Sequence, residues 1–227
     1  MDFFEAVSRR RSIRSYSNKP VPPEVMERAI DAALLAPNSS NMQTWDIYWI
    51  RTPEARTQLA LACMNQAAAR TAQELVVVTA NPSKWPQMRD QNLEHVQGMN
   101  RKDMVDYYSK LMPFIYGYQW LAPLKWLIFN IGGLFTPMPR EVIWPRDRRE
   151  VAVKSAALAC ENFMLAIAAQ GFDSCPMEGL DSKRVRDIIG CPRSATVVMA
   201  ISVGERTERG VWGERFRVAR ELVVHQI

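Results

Sequence analysis

The strongest strand signal in the chain is the stretch TVVMAISV at residues 196–203, which is rich in β-branched residues and free of proline and glycine. A second apolar run, LVVVT at residues 75–79, is bounded by polar residues and predicts a buried strand. A third strand is predicted over 46–50, after a segment of loop-forming residues at 37–45. Helical patterns separate these strands, so the sequence predicts an α+β or α/β sandwich.

Helical patterns account for most of the remaining chain. Asp2 is a suitable N-cap for a short first helix, and apolar residues recur at helical spacing between Pro23 and Pro37. The longest helix is predicted over the alanine-rich segment 146–170, with Gly171 as its stop. Further helices are predicted over 52–63, over much of 86–110 and between Asp181 and Gly190.

Composition indicates a globular chain with excess positive charge. The 227 residues suit one domain, and a hydrophobic fraction of 48% with 23% charged residues argues against disorder, collagen or coiled coil. Lysine and arginine exceed aspartate and glutamate by 29 − 24 = 5, and the pI is about 9.2. An anionic partner follows, which is a nucleic acid, an acidic lipid or a phosphorylated small molecule. The sequence has no helix-turn-helix, zinc-finger or RNP-like motif, so nucleic acid is disfavoured.

Cysteine and histidine give no sign of a metal centre. The four cysteines form no CxxC pair, and the two histidines, His95 and His225, are far apart in the sequence. We therefore expect no metal site, no His-based triad and four reduced, structural cysteines. The N-terminus carries Asp2 and Glu5 before its basic run and has no uninterrupted apolar region, which is unlike a secretory signal and favours the cytoplasm.

The segment 111–139 is unusually apolar, with Lys125 as its single charged residue. Its length would suit a transmembrane helix, but several prolines and glycines interrupt it and Lys125 lies near its middle. We therefore expect a broken helical insert. Three roles stay open for it: a substrate lid, an arm that packs on a second subunit, and a lipid contact, which is not favoured.

Two arginine groups lie at opposite ends of the chain. Four arginines lie within residues 9–14, around Ser12, and a guanidinium presents rigid, bidentate donors to phosphate oxygens. Arg215 and Arg217 would lie on one face of a strand. Between them in sequence, the run CPMEG at 175–179 predicts a turn whose backbone N–H groups are free to face a ligand. Each signal alone also suits an ordinary solvated surface or loop.

Taken together, four motifs resemble the nitroreductase family of FMN-dependent flavoproteins. They are the run RRSIR at 10–14, the loop PNSSNMQTW at 37–45, the spaced residues Gly171, Pro176, Glu178 and Gly179, and the late pair Arg215 and Arg217. Thr44 stands where this loop commonly has proline, and Asn38 stands where it commonly has serine. The resemblance covers roughly residues 1–100 and 146–220, and leaves out an apolar insert at about 105–145.

The resemblance implies a fold and a set of site residues. The fold would be a single FMN-binding domain over 1–227, a three-layer α/β/α sandwich of the α+β class whose central mixed sheet is flanked by helices. Arg14 would lie at the flavin N1/O2 edge and the backbone N–H of Glu178 at flavin N5, so both count as catalytic. Gln66, or its neighbour Asn65, would contact the pyrimidine end of the ring. The implied cofactor-binding residues are Arg10, Arg11, Ser12, Arg14, Pro37, Asn38, Ser39, Ser40, Asn41, Gln66, Pro176, Met177, Glu178, Gly179, Arg215 and Arg217.

The resemblance also implies an activity and a partner. The activity is a ping-pong oxidoreductase reaction, in which NADH or NADPH donates electrons through FMN to a nitroaromatic, a quinone or an activated alkene. Alternatives keep the same flavin site for dehalogenation, flavin breakdown or dehydrogenation, or place quinone reduction at a membrane surface through 111–139. The expected partner is a second copy of the chain, with Pro37 to Ser40 of one subunit near the flavin of the other. Small residues in 146–170 suit either close approach of two subunits or tight packing within one.

Overall fold

The computed structural model describes residues 1–140 and 142–227, so that Glu141, within the predicted insert, lies outside the described residues. Its centre is a four-stranded sheet in the order β1-β2-β4-β3. All three neighbouring pairs are antiparallel, and among the described residues parallel pairing is limited to an isolated bridge between Ser12 and Ser174. A mixed sheet was expected, but its four strands pair antiparallel and this bridge supplies the parallel pairing. The strands are β1 (Trp45–Ile50), β2 (Glu74–Ala80), β3 (Asp173–Met177) and β4 (Thr196–Gly204).

Helices cover both faces of the sheet and form the insert. The first helix begins with the predicted cap. The Asp2 carboxylate accepts a hydrogen bond from the Glu5 N–H, and the Glu5 carboxylate accepts one from the Asp2 N–H. The longest helix, α9, begins at Pro145 and ends before Gly171, as predicted. The helices are α1 (Phe3–Arg9), α2 (Pro23–Leu34), α3 (Pro53–Ala62), α4 (Ala67–Arg70), α5 (Trp85–Gln97), α6 (Lys102–Asp106), α7 (Met112–Tyr116), α8 (Ala122–Gly132), α9 (Pro145–Ala169) and α10 (Ser182–Ile189).

The core consists of two layers, one on each face of the sheet. Side chains alternate along β2, so Val76 and Val78 pack against α2 and α9, while Leu75 and Val77 pack against α3, α4 and α10. This burial on both faces explains why β2 is a continuous apolar run rather than an alternating one. The expected three-layer α/β/α sandwich is confirmed. The small residues of α9, among them Ala156 and Ala159, are buried within the subunit, which favours tight packing inside one chain over contact between chains.

Three local predictions were wrong. The segment 86–110 is not one helix, because α5 ends at Gln97, Asn100 has a positive φ of 52°, and a π-helical turn follows α6. Residues 175–177 are not a turn but the end of β3, where Pro176 is tolerated because β3 is an edge strand. Arg215 and Arg217 lie in an exposed, irregular tail instead of a strand, and in the part of the chain described here no neighbouring strand pairs with that tail.

The insert is a broken helix, as predicted. Helix α7 ends at Gly117, where a Cβ atom would lie only 2.4 Å from the Pro113 carbonyl oxygen. Tyr118 follows in the left-handed region, a short 3₁₀ turn spans Gln119–Leu121, and α8 then runs to Gly132. Neither α7 nor α8 has the roughly 20 residues that a membrane-spanning helix needs. One helix, α9, is long and apolar enough to cross a membrane, but half of its most apolar window is buried inside the fold, as in a core helix.

Candidate functional site

The run RRSIR at 10–14 leaves α1 and lies along the edge strand of the sheet. The Ile13 N–H donates to the Ser174 carbonyl oxygen at 3.1 Å, and the Arg14 N–H donates to the Gly210 carbonyl oxygen at 2.8 Å. The segment is therefore held between β3 and the chain that follows β4. This placement explains why Ile13 is fully buried while the side chains of its arginine neighbours reach the surface.

The two arginine groups meet, although about 200 residues separate them in sequence. The Arg215 guanidinium donates to the carbonyl oxygens of Ser8 at 2.6 Å and Arg10 at 2.7 Å, and Arg11 donates to that of Gly213 at 3.0 Å. Burial lowers the pKa of Arg215, and the charges of Arg11, Arg217 and Arg10 lower it further. We call Arg10, Arg11, Arg215 and Arg217 the arginine cluster.

The arginine cluster is poorly neutralised by the protein itself. Among the described residues, Glu161 is the single carboxylate that forms an ion pair with it, at 3.8 Å from Arg10, and its side chain is half exposed. Like charges held together without counter-ions favour a bound anion, and a phosphate dianion accepts charge-assisted hydrogen bonds from several guanidinium groups. The donor set therefore fits the phosphate end of FMN.

Two further predicted residues are also brought together. The Gln66 side chain, at the start of α4, donates through Nε2 to the Gly179 carbonyl oxygen at 2.8 Å. The neighbouring Asp181 N–H donates to the Ala62 carbonyl oxygen at 2.8 Å and fixes the same turn on α3. The Glu178 N–H takes no part in the hydrogen bonds of turns, loops and side chains within residues 1–140 and 142–227. Glu178 as a whole residue is exposed, and it directly follows β3.

Trp212 is a site neighbour that the sequence analysis missed. The Arg14 guanidinium carbon lies 4.5 Å from the centre of the Trp212 ring, and the ring is largely exposed. The available signal was the run GVWG at 210–213, an aromatic residue between two glycines just before the basic pair. Gly210 is required there because a Cβ atom would lie 2.7 Å from the Ser15 carbonyl oxygen.

The loop at 37–45 contacts the insert through its serine hydroxyls. The Ser39 and Ser40 hydroxyls lie 3.2 Å from the Tyr116 hydroxyl and 2.7 Å from the Tyr107 hydroxyl, respectively. Asn38 turns inward, since its Oδ1 accepts the Gln43 N–H at 2.9 Å. In the described part of the chain no hydrogen bond connects this loop to the arginine cluster or to Gly179. Within one chain, hydrogen bonds join the two arginine groups to each other and Gln66 to Gly179. Those of residues 39–41 run to the insert and to α5.

The cysteines are structural. All four are free, and burial raises the pKa of Cys63 to about 11 and that of Cys160 to about 12, so both stay protonated at neutral pH. Burial also raises the pKa of Cys175, while the nearby charge of Arg14 lowers it slightly. The structure shows, over residues 1–140 and 142–227, no group of three metal-binding side chains.

Comparison with known proteins identifies the family. The sequence model of the Nitroreductase family matches residues 7–205. Protein DrgA of Synechocystis is 28% identical over 209 residues, covering 92% of this chain and 86% of that protein. An NADH dehydrogenase of Thermus thermophilus is 27% identical over 223 residues, covering 98% and 96%.

A solved structure from Exiguobacterium sibiricum, of a protein assigned to the nitroreductases and crystallised in complex with FMN, has the same fold. It superposes with a TM-score of 0.72 at 23% identity and covers all of this chain and 98% of the other. Sequence and fold thus agree over nearly the whole length. The chain belongs to the nitroreductase family.

Proposed function

We propose that the protein is an FMN-dependent oxidoreductase that passes electrons from NADH or NADPH to a small organic acceptor. The observation that carries this proposal is the arginine cluster, because hydrogen bonds join arginine groups from both ends of the chain and, among the described residues, Glu161 is the one carboxylate paired with them. The names of two related proteins support the same conclusion: one relative is an NADH dehydrogenase, and one structural neighbour was crystallised with FMN.

Each residue near the cluster has a role toward the cofactor. The arginine cluster and Ser12 would hold the phosphate. The Arg14 cation would stabilise the negative charge that develops at the N1/O2 edge, and the free Glu178 N–H would donate toward N5. Gln66 donates one Nε2 hydrogen to Gly179, which leaves its amide oxygen and its second N–H to face a ligand. When bound, FMN supplies the hydride and electron transfer itself.

The reaction is proposed to be ping-pong, with the nicotinamide donor and the acceptor using one site in turn. The acceptor classes are nitroaromatics, quinones and activated alkenes. The alternatives retain the site and change the acceptor reaction, to dehalogenation or dehydrogenation, or bring a quinone to the insert at a membrane surface. We place the whole chain in one catalytic domain. Because all four cysteines are free, we place the protein in the cytoplasm.

A homodimer is proposed as the working form. In the described part of the chain, no hydrogen bond joins residues 37–41 to the arginine cluster, which agrees with a loop that serves the cofactor of a second subunit. Large apolar side chains are exposed in α1 and in the C-terminal tail, where Phe4 is 80% and Phe216 is 78% exposed. Such side chains are usually covered by a partner.

The test is cofactor identity and retention. We expect the purified protein to be yellow and to release FMN, not FAD, on denaturation. Arg10→Ala and Arg217→Ala should each bind FMN about 10- to 100-fold more weakly, because a phosphate loses a charged hydrogen-bond partner. Arg193→Ala is the control. Arg193 is exposed and precedes β4 in the sequence, so this variant should bind FMN normally. Unchanged FMN affinity in both cluster variants would contradict the proposed site.

A further inference from the structure

The loop at 38–43 has a backbone conformation that its side chains do not favour. Ser40, Asn41 and Gln43 have φ values of 56°, 53° and 42°, all in the left-handed region, and none of them is glycine. Residues other than glycine stay in this region only where surrounding contacts hold them there, and such residues concentrate at ligand sites. The contacts that hold this loop therefore decide its shape.

Asn92 of α5 provides the first contact. Its side chain is buried, its Nδ2 donates to the Asn41 carbonyl oxygen at 2.9 Å, and its Oδ1 accepts from the Asn41 Nδ2 at 2.6 Å. The same Nδ2 also donates to the Met88 carbonyl oxygen at 2.8 Å, within α5. The Asn92 amide is thus hydrogen-bonded to its own helix and to both the backbone and the side chain of Asn41.

Tyrosines of the predicted insert provide the other contacts. The Tyr107 hydroxyl meets the Ser40 hydroxyl at 2.7 Å, the Tyr116 hydroxyl meets the Ser39 hydroxyl at 3.2 Å, and the Tyr108 hydroxyl donates to the Ser40 carbonyl oxygen at 3.3 Å. Tyr116 is itself fixed, because it is buried and its ring stacks on Trp85 with the centroids 6.2 Å apart. The loop residue Met42 is buried in the same small core, which α5 and the insert form.

We infer that Asn92, Tyr107 and Tyr116 are positioning residues that fix Ser39, Ser40 and Asn41 toward the flavin. The inference rests on the proposed function, which places this loop at the cofactor of the second subunit. A serine hydroxyl both donates and accepts, so a tyrosine hydroxyl bonded to it sets the direction of its proton and restricts its rotation. The insert thereby acts on the cofactor through the loop, in addition to any contact with the acceptor.

The experiment uses the full-length protein and single hydroxyl deletions. Tyr107→Phe and Tyr116→Phe keep the rings and their packing and remove only the bonded oxygens. Tyr118→Phe is the matched control, because Tyr118 lies in the same insert, is 55% exposed and has, among the described residues, no side-chain hydrogen bond. We expect about three- to tenfold weaker FMN binding for each deletion, together with an altered visible spectrum of the bound flavin, and no change in the control.

A double-mutant cycle separates positioning from simple loss of stability. Ser40→Ala and Tyr107→Phe should each weaken FMN binding, and the combined variant should be no weaker than the worse single one, because the tyrosine acts through the serine. Additive losses, or FMN affinity and flavin spectrum unchanged in Tyr107→Phe and Tyr116→Phe, would overturn the inference.

A readout without cofactor keeps this inference distinct from the proposed function. Amide hydrogen exchange of residues 38–43 in the FMN-free protein should be faster in the Tyr107→Phe, Tyr116→Phe double variant than in the wild type. Unchanged exchange overturns the inference even if FMN binds as proposed. A wild-type protein that binds no FMN, but shows the faster exchange in the variant, refutes the proposed function and leaves the loop contacts established.

Discussion

Asp173 shows how one side chain fixes the edge of the candidate site. It begins β3, its side chain is 3% exposed, and it accepts the Arg206 N–H at 3.0 Å and Nε at 2.9 Å, with a further bond from Nη2. Arg206 also reaches the Arg9 carbonyl oxygen at 3.5 Å. One carboxylate thus ties β3 to the chain after β4 and to the end of α1, next to the arginine cluster.

Removing this carboxylate should destabilise the fold. In Asp173→Ala the partly buried Arg206 loses its counter-ion, with two guanidinium hydrogen bonds and one from its backbone N–H, and breaking a buried pair from one side costs about 3 kcal/mol. Equilibrium denaturation in urea measures the change. Glu205→Ala is the control, because the neighbouring Lys19–Glu205 pair at 2.6 Å is exposed and should contribute little. Equal stability of Asp173→Ala and wild type would show that the pair is dispensable.

Single residues also mark the limit of what the sequence predicts about the site. Gln66 was placed at the site by the family resemblance, and the structure sets it against Gly179, 113 positions away. The resemblance likewise placed Arg10 and Arg215 together at the phosphate, and the structure brings them into contact. Trp212 was missed because its contact with Arg14 depends on how the tail folds back, and no local pattern of the sequence encodes that path.

At the scale of elements, predictions succeeded where a local signal and burial agreed. The Asp2 cap, the Gly171 stop and the TVVMAISV strand each combine a terminal or β-branched signal with a buried face. Strand β3 was missed because five residues with a proline carry almost no periodic signal, and only pairing with β4 makes them a strand. The tail at 215–217 failed for the opposite reason, since its alternation has no strand to pair with among the described residues.

Lys125 is a buried cation in the middle of the insert. It is 2% exposed, donates through Nζ to the Gly117 carbonyl oxygen at 2.7 Å, and lies 5.2 Å from the Phe114 ring centre. Arg148 donates to the adjacent Tyr116 carbonyl oxygen at 2.6 Å, so two cations meet the C-terminal end of α7. Burial lowers the pKa of Lys125, and the charge of Arg148 lowers it further.

This lowered pKa predicts a pH-dependent stability. Above the folded pKa and below about 10.4, the unfolded lysine holds a proton that the folded one has lost, so the stability of the wild type should rise with pH in that window, by up to about 1.4 kcal/mol per pH unit. Urea denaturation at pH 7 and pH 10 should show the wild type gaining on Lys125→Met. Lys110→Met, at an exposed site, is the control and should show no such trend. A constant difference between Lys125→Met and wild type across this range contradicts the prediction.

At the scale of the whole molecule, the surface is too large for a compact monomer. A chain of 26.0 kDa is expected to expose about 10,500 Å², so the observed 13626 Å² exceeds that area by roughly 3,000 Å². Large apolar side chains are exposed in both the C-terminal tail and the insert, where Leu222, Trp120, Leu134 and Phe135 are each at least 70% exposed. An obligate homodimer typically buries 2,000 Å² or more in total, which is enough to cover such an excess.

The tail and the insert make different predictions about that dimer. Removing residues 218–227 deletes exposed chain beyond the arginine cluster, so each subunit should still fold while the dimer dissociates at higher concentration than the wild type. Sedimentation velocity over a dilution series from micromolar to nanomolar measures this directly.

The double variant Leu134→Ser, Phe135→Ser tests the insert. If the insert is a lid, the variant should leave dimerisation unchanged and alter the ranking of acceptors that reoxidise the flavin. If this variant instead weakens the dimer and keeps the ranking, the insert is a dimer arm. A flavin-loaded, active wild-type monomer at nanomolar concentration would refute the dimer altogether, because residues 37–41 would then have no second subunit to serve.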